Sequence, residues 1–372
     1  MHTTDTAINI DGLDIVVSSG ITILEAAQDH GIPIPTLCHA RELAPIGACR
    51  ICVVEVAGMK ALAGACHTPV SDGMIIRTHS PKVIAARRAT VELLLAAHTG
   101  DCVTDANAEH CLLHRLASEL EVGPPRFRVR KTRRYPPEDS NPYVRRDLSK
   151  CIMCRKCVSA CTEIAGKNLL DVGYRSFRSK IVYGRDEPLD SDRCKDCGIC
   201  IDYCPTGALT PAAGLSAKQR QAHKTAIPEF SEPPGSRPRA GLLNALKDEK
   251  AKKGFLHRQA IHGIADEFGV AESTVFGVAT FYSFLPLSPP GRHVIRICSN
   301  LPCHMKHSAV IVDAVRQAIG ISPGETTADG RFSLELTNCI GACDAAPAMM
   351  VDSDIHGHLT AAAVDRILAQ YD

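Results

Sequence analysis

Two runs of cysteines near the middle of the chain constrain its fold more than any other feature of the sequence. Their members are Cys151, Cys154, Cys157 and Cys161, then Cys194, Cys197, Cys200 and Cys204. In each run the spacing is x2, x2, x3. Three thiolates within seven residues can wrap three corners of an iron–sulfur cube, whereas a tetrahedral zinc ion prefers two separated pairs. The spacing therefore predicts two [4Fe–4S] clusters rather than structural zinc or disulfides.

The fourth cysteine of each run is expected to serve the other run's cluster, because this spacing lets three close thiolates hold one cube while the fourth reaches its neighbour. The first predicted ligand set is Cys151, Cys154, Cys157 and Cys204. The second is Cys194, Cys197, Cys200 and Cys161. Two cubes held side by side commonly move single electrons.

Composition limits the classes of protein that this chain can belong to. Its 372 residues exceed one domain, and 45% apolar residues can form hydrophobic cores. A net charge of +1 gives no argument for nucleic acid or an anionic membrane as partner. No apolar run approaches a membrane span of ~18 residues, and no secretory segment is expected near Met1. With 18 cysteines, a cytoplasmic chain would use thiolates for metal rather than disulfides.

The N-terminal part of the chain, 1–80, contains another four-cysteine set. Apolar segments at 7–10 and 13–17 flank Asp11-Gly12, which predicts a hairpin, and Thr22 with Glu25 predicts a capped helix ending at Gly31. Small residues near the cysteines let the backbone close on the sulfurs, which favours a [2Fe–2S] cluster. A four-thiolate zinc site is the alternative. The predicted ligands are Cys38, Cys49, Cys52 and Cys66.

Residues 81–142 contain a third arrangement of ligand types. Ser80 and Pro81 predict a helix start, and the apolar face of that helix is expected at Ile84, Val91, Leu94 and Leu95, with an end at Gly100. The pattern that follows is His98-x3-Cys102-x2-Asp105-x5-Cys111. Residues 124–142 are basic and rich in proline, and are expected to extend over an acidic surface or to form a solvated loop.

The C-terminal third is expected to form a separate domain after a linker at 211–241. Residues 242–284 have helical periodicity, and Gly269 is a stop signal within them. A strand at 293–298, a helix at 309–319, strands at 332–336 and 348–351, and a helix from about Thr360 suit a small thioredoxin-like α/β domain. Loops after two of its strands can converge on one [2Fe–2S] cluster, with zinc or a redox dithiol as the alternatives. The predicted ligands are Cys298, Cys303, Cys339 and Cys343.

Several motifs between positions 1 and 210 carry a family resemblance. They include GACRICVVEV at 47–56, PV-x2-GM at 69–74 and DLSKCIMC at 147–154. This part resembles the N-terminal iron–sulfur segment of the seventy-five-kilodalton subunit of complex I. It equally resembles the small diaphorase subunit of NAD-linked [NiFe]-hydrogenases and the front end of modular [FeFe]-hydrogenases. The hairpin, helix and cysteine loop together resemble a β-grasp ferredoxin.

The C-terminal part of the chain carries a second resemblance. With FGVATFY at 276–282 and GACDAAP at 341–347, residues 242–372 resemble the twenty-four-kilodalton subunit of complex I. The two resemblances imply a fusion that packs against a flavin- and NAD(P)H-binding subunit, similar to the fifty-one-kilodalton subunit of complex I, and delivers electrons to a separate catalytic subunit. The chain itself has neither a Gly-x-Gly-x-x-Gly after a strand nor a P-loop, so it is expected to bind no flavin or nucleotide.

The fold class expected is multidomain α+β. The predicted domains are a β-grasp [2Fe–2S] ferredoxin at 1–80, a helical His/Cys segment and connector at 81–142, a 2[4Fe–4S] ferredoxin at 143–210, a linker at 211–241, a helical bundle at 242–290 and a thioredoxin-like [2Fe–2S] domain at 291–372. The function expected is electron transfer in an NAD(P)H-linked oxidoreductase. A free-standing carrier and an iron–sulfur redox sensor are the alternatives.

The family pattern at His98 also implies a third [4Fe–4S] cluster held by one imidazole and three thiolates. Asp105 occupies the position of the middle cysteine. Three interpretations remain open: Asp105 is a carboxylate ligand, His110 or His114 replaces it, or the site holds no cluster. The first keeps the ligand charge but gives a labile iron, because oxygen is a harder donor than thiolate.

Overall fold

The computed structural model describes residues 5–98, 111–126, 135–195, 197–213, 241–337 and 339–371. The chain divides into two compact units. The first comprises Met1–Arg237 and Gly269–Gly277, and the second comprises Pro238–Phe268 and Val278–Asp372. Among the described residues, none of the helices combines the length and apolar character required to cross a bilayer. Most of the predicted linker, residues 214–240, lies outside the described residues.

The N-terminal module is built on a five-stranded sheet. Strands β1 (Asp5–Ile10) and β2 (Leu13–Ser18) form the predicted hairpin. Its turn residues Asp11 and Gly12 have φ of 52° and 90°, as a type I′ turn requires. Helix α1 (Ile23–Asp29) begins at the predicted capping box, because Thr22 and Glu25 satisfy each other's backbone amides.

The sheet is completed by three strands from later in the chain. Strands β3 (Val53–Val56), β4 (Ala63–Gly64) and β5 (Ile75–Arg77) give the order β2-β1-β5-β3-β4. The central pair, β1 and β5, is parallel. Buried apolar residues from β1, β2 and α1 pack against the strands, so the cysteine loop between α1 and β4 is anchored at both ends on one core.

Helix α2 (Pro81–Ala97) starts at Ser80 as predicted, and its packed face agrees with the expected one at Val91, Leu94 and Leu95 but includes further residues. The residues it buries are Val83, Arg87, Val91 and Glu92, while Ile84 is half-buried. A face predicted from apolar residues alone could not include Arg87 and Glu92, although both are buried. The helix also stops earlier than the glycine signal indicated, because His98 has extended backbone angles of φ −88° and ψ 116°.

The central module gathers both cysteine runs around short elements. Helix α3 (Leu112–Glu119) is followed by β6 (Val144–Arg146), α4 (Lys156–Ser159), β7 (Leu170–Gly173), β8 (Lys180–Tyr183), α5 (Ser191–Cys194), α6 (Ile199–Asp202) and β9 (Leu209–Pro211). Strands β6 and β9 pair antiparallel, as do β7 and β8. The β6–β9 pairing joins the first and last strands of the module, which lie close to the two bounds of the predicted 143–210 range.

Three helices precede the C-terminal sheet: α7 (Leu242–Lys253), α8 (Arg258–Phe268) and α9 (Glu272–Phe281). Helix α8 buries Ile261, Ile264 and Ala265 on one face, as the helical periodicity predicts, and Gly269 follows the helix with φ 60°. The sequence prediction of a helical region is therefore confirmed.

The C-terminal sheet has the order β11-β10-β12-β13. Its elements are β10 (His293–Cys298), α10 (Leu301–Met305), α11 (Ser308–Ile319), β11 (Phe332–Thr337), β12 (Met349–Val351), β13 (Asp354–His356) and α12 (Val364–Leu368). Strands β10 and β11 are parallel, and the other pairs are antiparallel. Strand β13 was not predicted, because Ile355 is its one apolar residue, between Asp354 and His356, and gives no apolar pattern.

Candidate metal centres

The N-terminal cysteines lie in one buried group. Cys38 and Cys49 come from the loop after α1, Cys52 precedes β3, and Cys66 follows β4; all four are buried. The Cys38 thiol hydrogen-bonds Cys49, which lowers the pKa of Cys49 to about 6 and raises that of Cys38. The contact between Cys66 and Cys52 likewise lowers the pKa of Cys52 to about 7.

This pairing of thiols fits a [2Fe–2S] cluster. Such a cluster has two irons and four cysteine ligands, so each iron takes one close pair. The backbone amide of Cys49 donates to Cys38 Sγ at 3.4 Å, and amides of this kind stabilise sulfur ligands. The four side chains therefore have the arrangement that the cluster needs.

Two residues beside this site were not found by sequence reasoning. The Nδ1 atom of His67 lies 3.4 Å from Cys66 Sγ. A Cβ at Gly64 would overlap Cε1 of the same imidazole, so the small residue there makes room for His67 rather than for the sulfurs. Adjacency to a cysteine was the one signal that the sequence offered for His67.

The second unpredicted neighbour is Arg87, which is 1% exposed. Its Nε donates to the carbonyl of Ile51 at 3.1 Å, and a terminal nitrogen donates to the carbonyl of Val53 at 2.9 Å. These residues flank Cys52 on both sides. A buried cation is thus fixed beside a site that becomes anionic when four thiolates bind.

The central cysteines form two groups, each containing one residue from the other run. Cys204 joins Cys151, Cys154 and Cys157 around one pocket. The apolar residues lining that pocket include Leu148, Ile152, Ile181, Ala208 and Leu209. Burial raises the pKa of Cys154 to about 12, and burial followed by repulsion from neighbouring thiolates raises the pKa of Cys157. Iron would relieve that repulsion, so the donors fit a cube.

The other group consists of Cys161, Cys194, Cys197 and Cys200, whose thiolates repel one another. Burial is the main cause that raises the pKa of Cys200, and it raises that of Cys194 to about 11. The amide of Leu169 donates to Cys161 Sγ at 3.3 Å. Each group therefore contains three cysteines of one run and the fourth cysteine of the other run, as the spacing predicts for two cubes.

The C-terminal cysteines follow the ends of two parallel strands, as expected. Cys298 ends β10 and Cys303 lies in α10, and both are buried; Cys339 and Cys343 are exposed. Burial, followed by the contact with Cys298, raises the pKa of Cys303 to about 11. Repulsion from Cys339 is the main cause that raises the pKa of Cys343. Two pairs again match the two irons of a [2Fe–2S] cluster.

The His98 set is divided by the limits of the described structure. His98 Nε2 and Cys111 Sγ are 3.9 Å apart. Cys102 and Asp105, and with them the carboxylate-ligand interpretation, lie outside the described residues, as does His110. His114, the other alternative, is described, and its ring centroid is 5.5 Å from that of His98.

Three family models match successive parts of the chain. Residues 3–81 match a 2Fe-2S iron-sulfur cluster binding domain. Residues 141–210 match the ferredoxin-like domain of NADH-quinone oxidoreductase subunit 3. Residues 229–372 match the thioredoxin-like [2Fe-2S] ferredoxin. The fold and its cysteine sets thus define a multi-cluster iron–sulfur protein of the complex I type.

Relatives identify the family more narrowly. The chain is 43% identical to the E subunit of NADH-quinone oxidoreductase from Escherichia coli over 162 residues, which are 44% of this chain and 95% of that protein. Through this part, the chain belongs to the family of that E subunit. It also contains a module like the iron–sulfur segment of the large complex I subunit that the front half resembles, which makes it a fusion of the two.

The front half has its own relatives. It is 38% identical over 207 residues to the NADP-reducing hydrogenase subunit HndD of Solidesulfovibrio fructosivorans, which is 54% of this chain but only 35% of that protein. The chain therefore spans about a third of HndD. A crystal structure of NAD+-reducing [NiFe]-hydrogenase in the H2-reduced state matches with a TM-score of 0.49 and 29% identity, over 57% of this chain and 89% of that one.

Proposed function

We propose that this chain is the iron–sulfur electron-transfer subunit of a soluble NAD(P)H-linked oxidoreductase complex. The observation that carries the proposal is the gathering of sixteen cysteines into four sets on iron–sulfur modules of the complex I type. Iron–sulfur clusters accept and release single electrons without taking up substrate. A chain with four such sets conducts electrons between other subunits.

Two [2Fe–2S] and two [4Fe–4S] clusters are the proposed cofactors. The ligands of the [2Fe–2S] clusters are Cys38, Cys49, Cys52 and Cys66, and Cys298, Cys303, Cys339 and Cys343. The ligands of the [4Fe–4S] clusters are Cys151, Cys154, Cys157 and Cys204, and Cys194, Cys197, Cys200 and Cys161. Burial of most of these thiols supports the assignment, because water exclusion and amide–sulfur hydrogen bonds set the potentials of such clusters.

The proposed partners are a flavin- and NAD(P)H-binding subunit, similar to the fifty-one-kilodalton subunit of complex I, and a separate catalytic subunit. HndD is named as a subunit of an NADP-reducing hydrogenase, which supports a hydrogenase as the catalyst. A formate dehydrogenase or another low-potential reductase would receive electrons through the same clusters. The richness in thiols for metal binding favours the cytoplasm. The domain boundaries given above are part of the proposal.

Metal analysis of the full chain tests the cofactor assignment. Anoxically purified protein should contain about twelve irons in the four sets. Cys303→Ser should remove one [2Fe–2S] EPR signal and leave both [4Fe–4S] signals intact, whereas Ser353→Ala, an exposed position in the same module, should match the parent. Iron at eight or fewer per fully loaded chain would overturn the assignment.

Affinity purification from the native cell under anoxic conditions tests the role. A flavin subunit and a catalyst should co-purify, and NADH or NADPH should reduce the clusters of the complex but not those of the isolated chain. Purification as a monomer that exchanges electrons directly with soluble donors would favour a free-standing carrier. Clusters that decay in air, with no co-purifying chain, would favour a redox sensor.

A further inference from the structure

Three potential metal ligands converge where α2 gives way to α3. His98 is the residue that follows the last turn of α2, Cys111 occupies the position before the first turn of α3, and His114 lies in that first turn. Their ligand atoms all lie within 4.8 Å of one another. His98 and Cys111 are 9% and 2% exposed. Twelve residues separate His98 from Cys111 in the chain, so the regular spacing of side chains along one helix does not explain why these ligands meet.

The orientation of His98 suits a metal ligand. Its Nδ1 lies 3.0 Å from the carbonyl oxygen of Lys150. Because a carbonyl can only accept, Nδ1 carries the hydrogen, and the lone pair of Nε2 is directed towards Cys111. Metal-binding histidines characteristically donate their other ring N–H to a carbonyl or carboxylate, which fixes the ring and its tautomer.

The spacing of the ligand atoms distinguishes one ion from a cube. Zinc binds nitrogen at about 2.0–2.1 Å and sulfur at about 2.3 Å, so a tetrahedral angle separates the two donors by roughly 3.6 Å. The observed separation of His98 Nε2 and Cys111 Sγ is 3.9 Å. Each iron of a cube takes one protein ligand, so ligands of a cube diverge from different corners. The His98–Cys111 separation, and the 4.8 Å within which all three ligand atoms lie, bring these donors close enough to share a single ion.

We propose that His98, Cys111 and His114 bind one zinc ion, which joins the end of α2 to the start of α3. Two imidazoles and one thiolate are donors that zinc accepts readily. The assignment makes His114 a ligand of zinc rather than of a [4Fe–4S] cluster, so of the three interpretations it agrees with the one in which the site holds no cluster. It goes beyond the proposed electron-transfer function and stands independently of it.

The zinc site is linked by hydrogen bonds to the ligand loop of the first cube. The Lys150 carbonyl oxygen that accepts the hydrogen bond from His98 Nδ1 also accepts one from Thr206 Oγ1 at 2.7 Å. The amide of Leu112 donates to the carbonyl of Pro205 at 2.7 Å. Lys150 and Pro205 directly adjoin Cys151 and Cys204. The zinc ion therefore braces both chain segments that carry these cluster ligands.

Elemental analysis and zinc K-edge X-ray absorption of the anoxically purified full chain test the proposal. X-ray absorption at the zinc edge is blind to iron, so the clusters do not interfere. The parent should contain about one zinc per chain, with two imidazoles among the zinc ligands. His114→Ala should lose most of the zinc without losing iron. His30→Ala, an exposed histidine of the same unit, should retain it.

A second variant keeps the test informative if His114→Ala folds poorly. His114→Cys should retain zinc, with one imidazole replaced by sulfur in the absorption spectrum. Zinc well below one per chain together with four irons beyond the twelve would show a third cube and overturn the proposal. Zinc that lacks imidazole ligands would also overturn it. So would a zinc content and an absorption spectrum that stay unchanged in both His114→Ala and His114→Cys. None of these outcomes depends on electron transfer.

Discussion

The two candidate [2Fe–2S] sites use the same number of cysteines in opposite surroundings. All four cysteines of the N-terminal site are buried, and Arg87 fixes a buried cation beside them. The C-terminal site buries Cys298 and Cys303 but exposes Cys339 and Cys343. Among the described residues of the second unit, no buried charged side chain accompanies these cysteines. The N-terminal site is therefore shielded from solvent by its own module, whereas the C-terminal site leaves two of its four cysteines open to solvent.

The largest expected difference is in thiol reactivity of the cluster-free protein. At pH 7 Cys49, whose pKa is lowered to about 6, is mostly thiolate, whereas Cys303, whose pKa is raised to about 11, is almost entirely protonated. Lower nucleophilicity of the more acidic thiol offsets part of this, which leaves roughly a 30- to 100-fold faster alkylation of Cys49 by iodoacetamide. Peptide mapping by mass spectrometry measures both rates.

The pH dependence provides the control, because accessibility cancels from it. Cys303 lies far below its pKa between pH 7 and 9, so its rate should rise about tenfold per pH unit. Cys49 is already deprotonated and should show a nearly flat profile. Parallel profiles for the two cysteines would contradict the difference in pKa.

The next largest effect is expected from Arg87→Met. Removal of the guanidinium leaves the carbonyls of Ile51 and Val53 buried without these donors, at a cost of about 2 kcal/mol in the free energy of unfolding. Loss of a nearby cation should also make the midpoint potential of the N-terminal cluster more negative, since reduction adds negative charge. Redox titration by EPR and thermal unfolding check the two expectations.

A matched arginine variant separates these effects from a general loss of charge. Arg88→Met removes the adjacent arginine, whose side chain is 49% exposed, and should leave the potential of the cluster unchanged. The C-terminal cluster should keep its potential in both variants. Equal shifts in Arg87→Met and Arg88→Met would mean that burial of the cation is unimportant.

Chelation should distinguish the sites by about an order of magnitude. Iron bound by Cys339 and Cys343 would be open to a chelator without unfolding, whereas the buried N-terminal site would have to open first. About 1.4 kcal/mol of opening free energy gives a tenfold slower loss. Visible circular dichroism and EPR follow the two signals during incubation with a chelator. A faster loss of the N-terminal signal would reverse the comparison.

The smallest expected effect comes from Gly341→Ala. Gly341 has φ +80° and no atom within 4 Å of the position that a Cβ would take, so the substitution costs backbone strain of about 1 kcal/mol without a steric clash. Its amide donates to Cys339 Sγ at 3.3 Å, and this hydrogen bond should weaken slightly. Thermal loss of the C-terminal EPR signal measures the change.

Gly64→Ala is the counterpart in the N-terminal site. Its new Cβ would clash with the ring of His67 and separate that ring from Cys66, so the spectrum of the N-terminal cluster should change. A glycine effect in the exposed site larger than the one in the buried site would contradict the packing difference.

Local patterns predicted much of this architecture. The Asp11-Gly12 turn, the Thr22–Glu25 cap and the Ser80 cap depend on neighbouring residues, and each appears where the sequence placed it. The gathering of the cysteines into groups also followed from their spacing. Arg87 could not be predicted, because its role depends on hydrogen bonds to a segment more than thirty residues earlier in the chain. His67 could not be predicted, because adjacency to Cys66 does not fix the direction of its ring. The ligands at Cys102 and Asp105 remain predictions.

The parallel pairing of β1 with β5 has a consequence for synthesis of the chain. Ile10 is aligned with Ile76, so the N-terminal strand must wait for the ribosome to add the residues between them, which takes several seconds at about 5–20 residues per second. Cys38, Cys49, Cys52 and Cys66 all emerge during that interval. These thiols, all buried in the finished module, are therefore accessible to iron donors and to oxidants while the nascent chain is still incomplete.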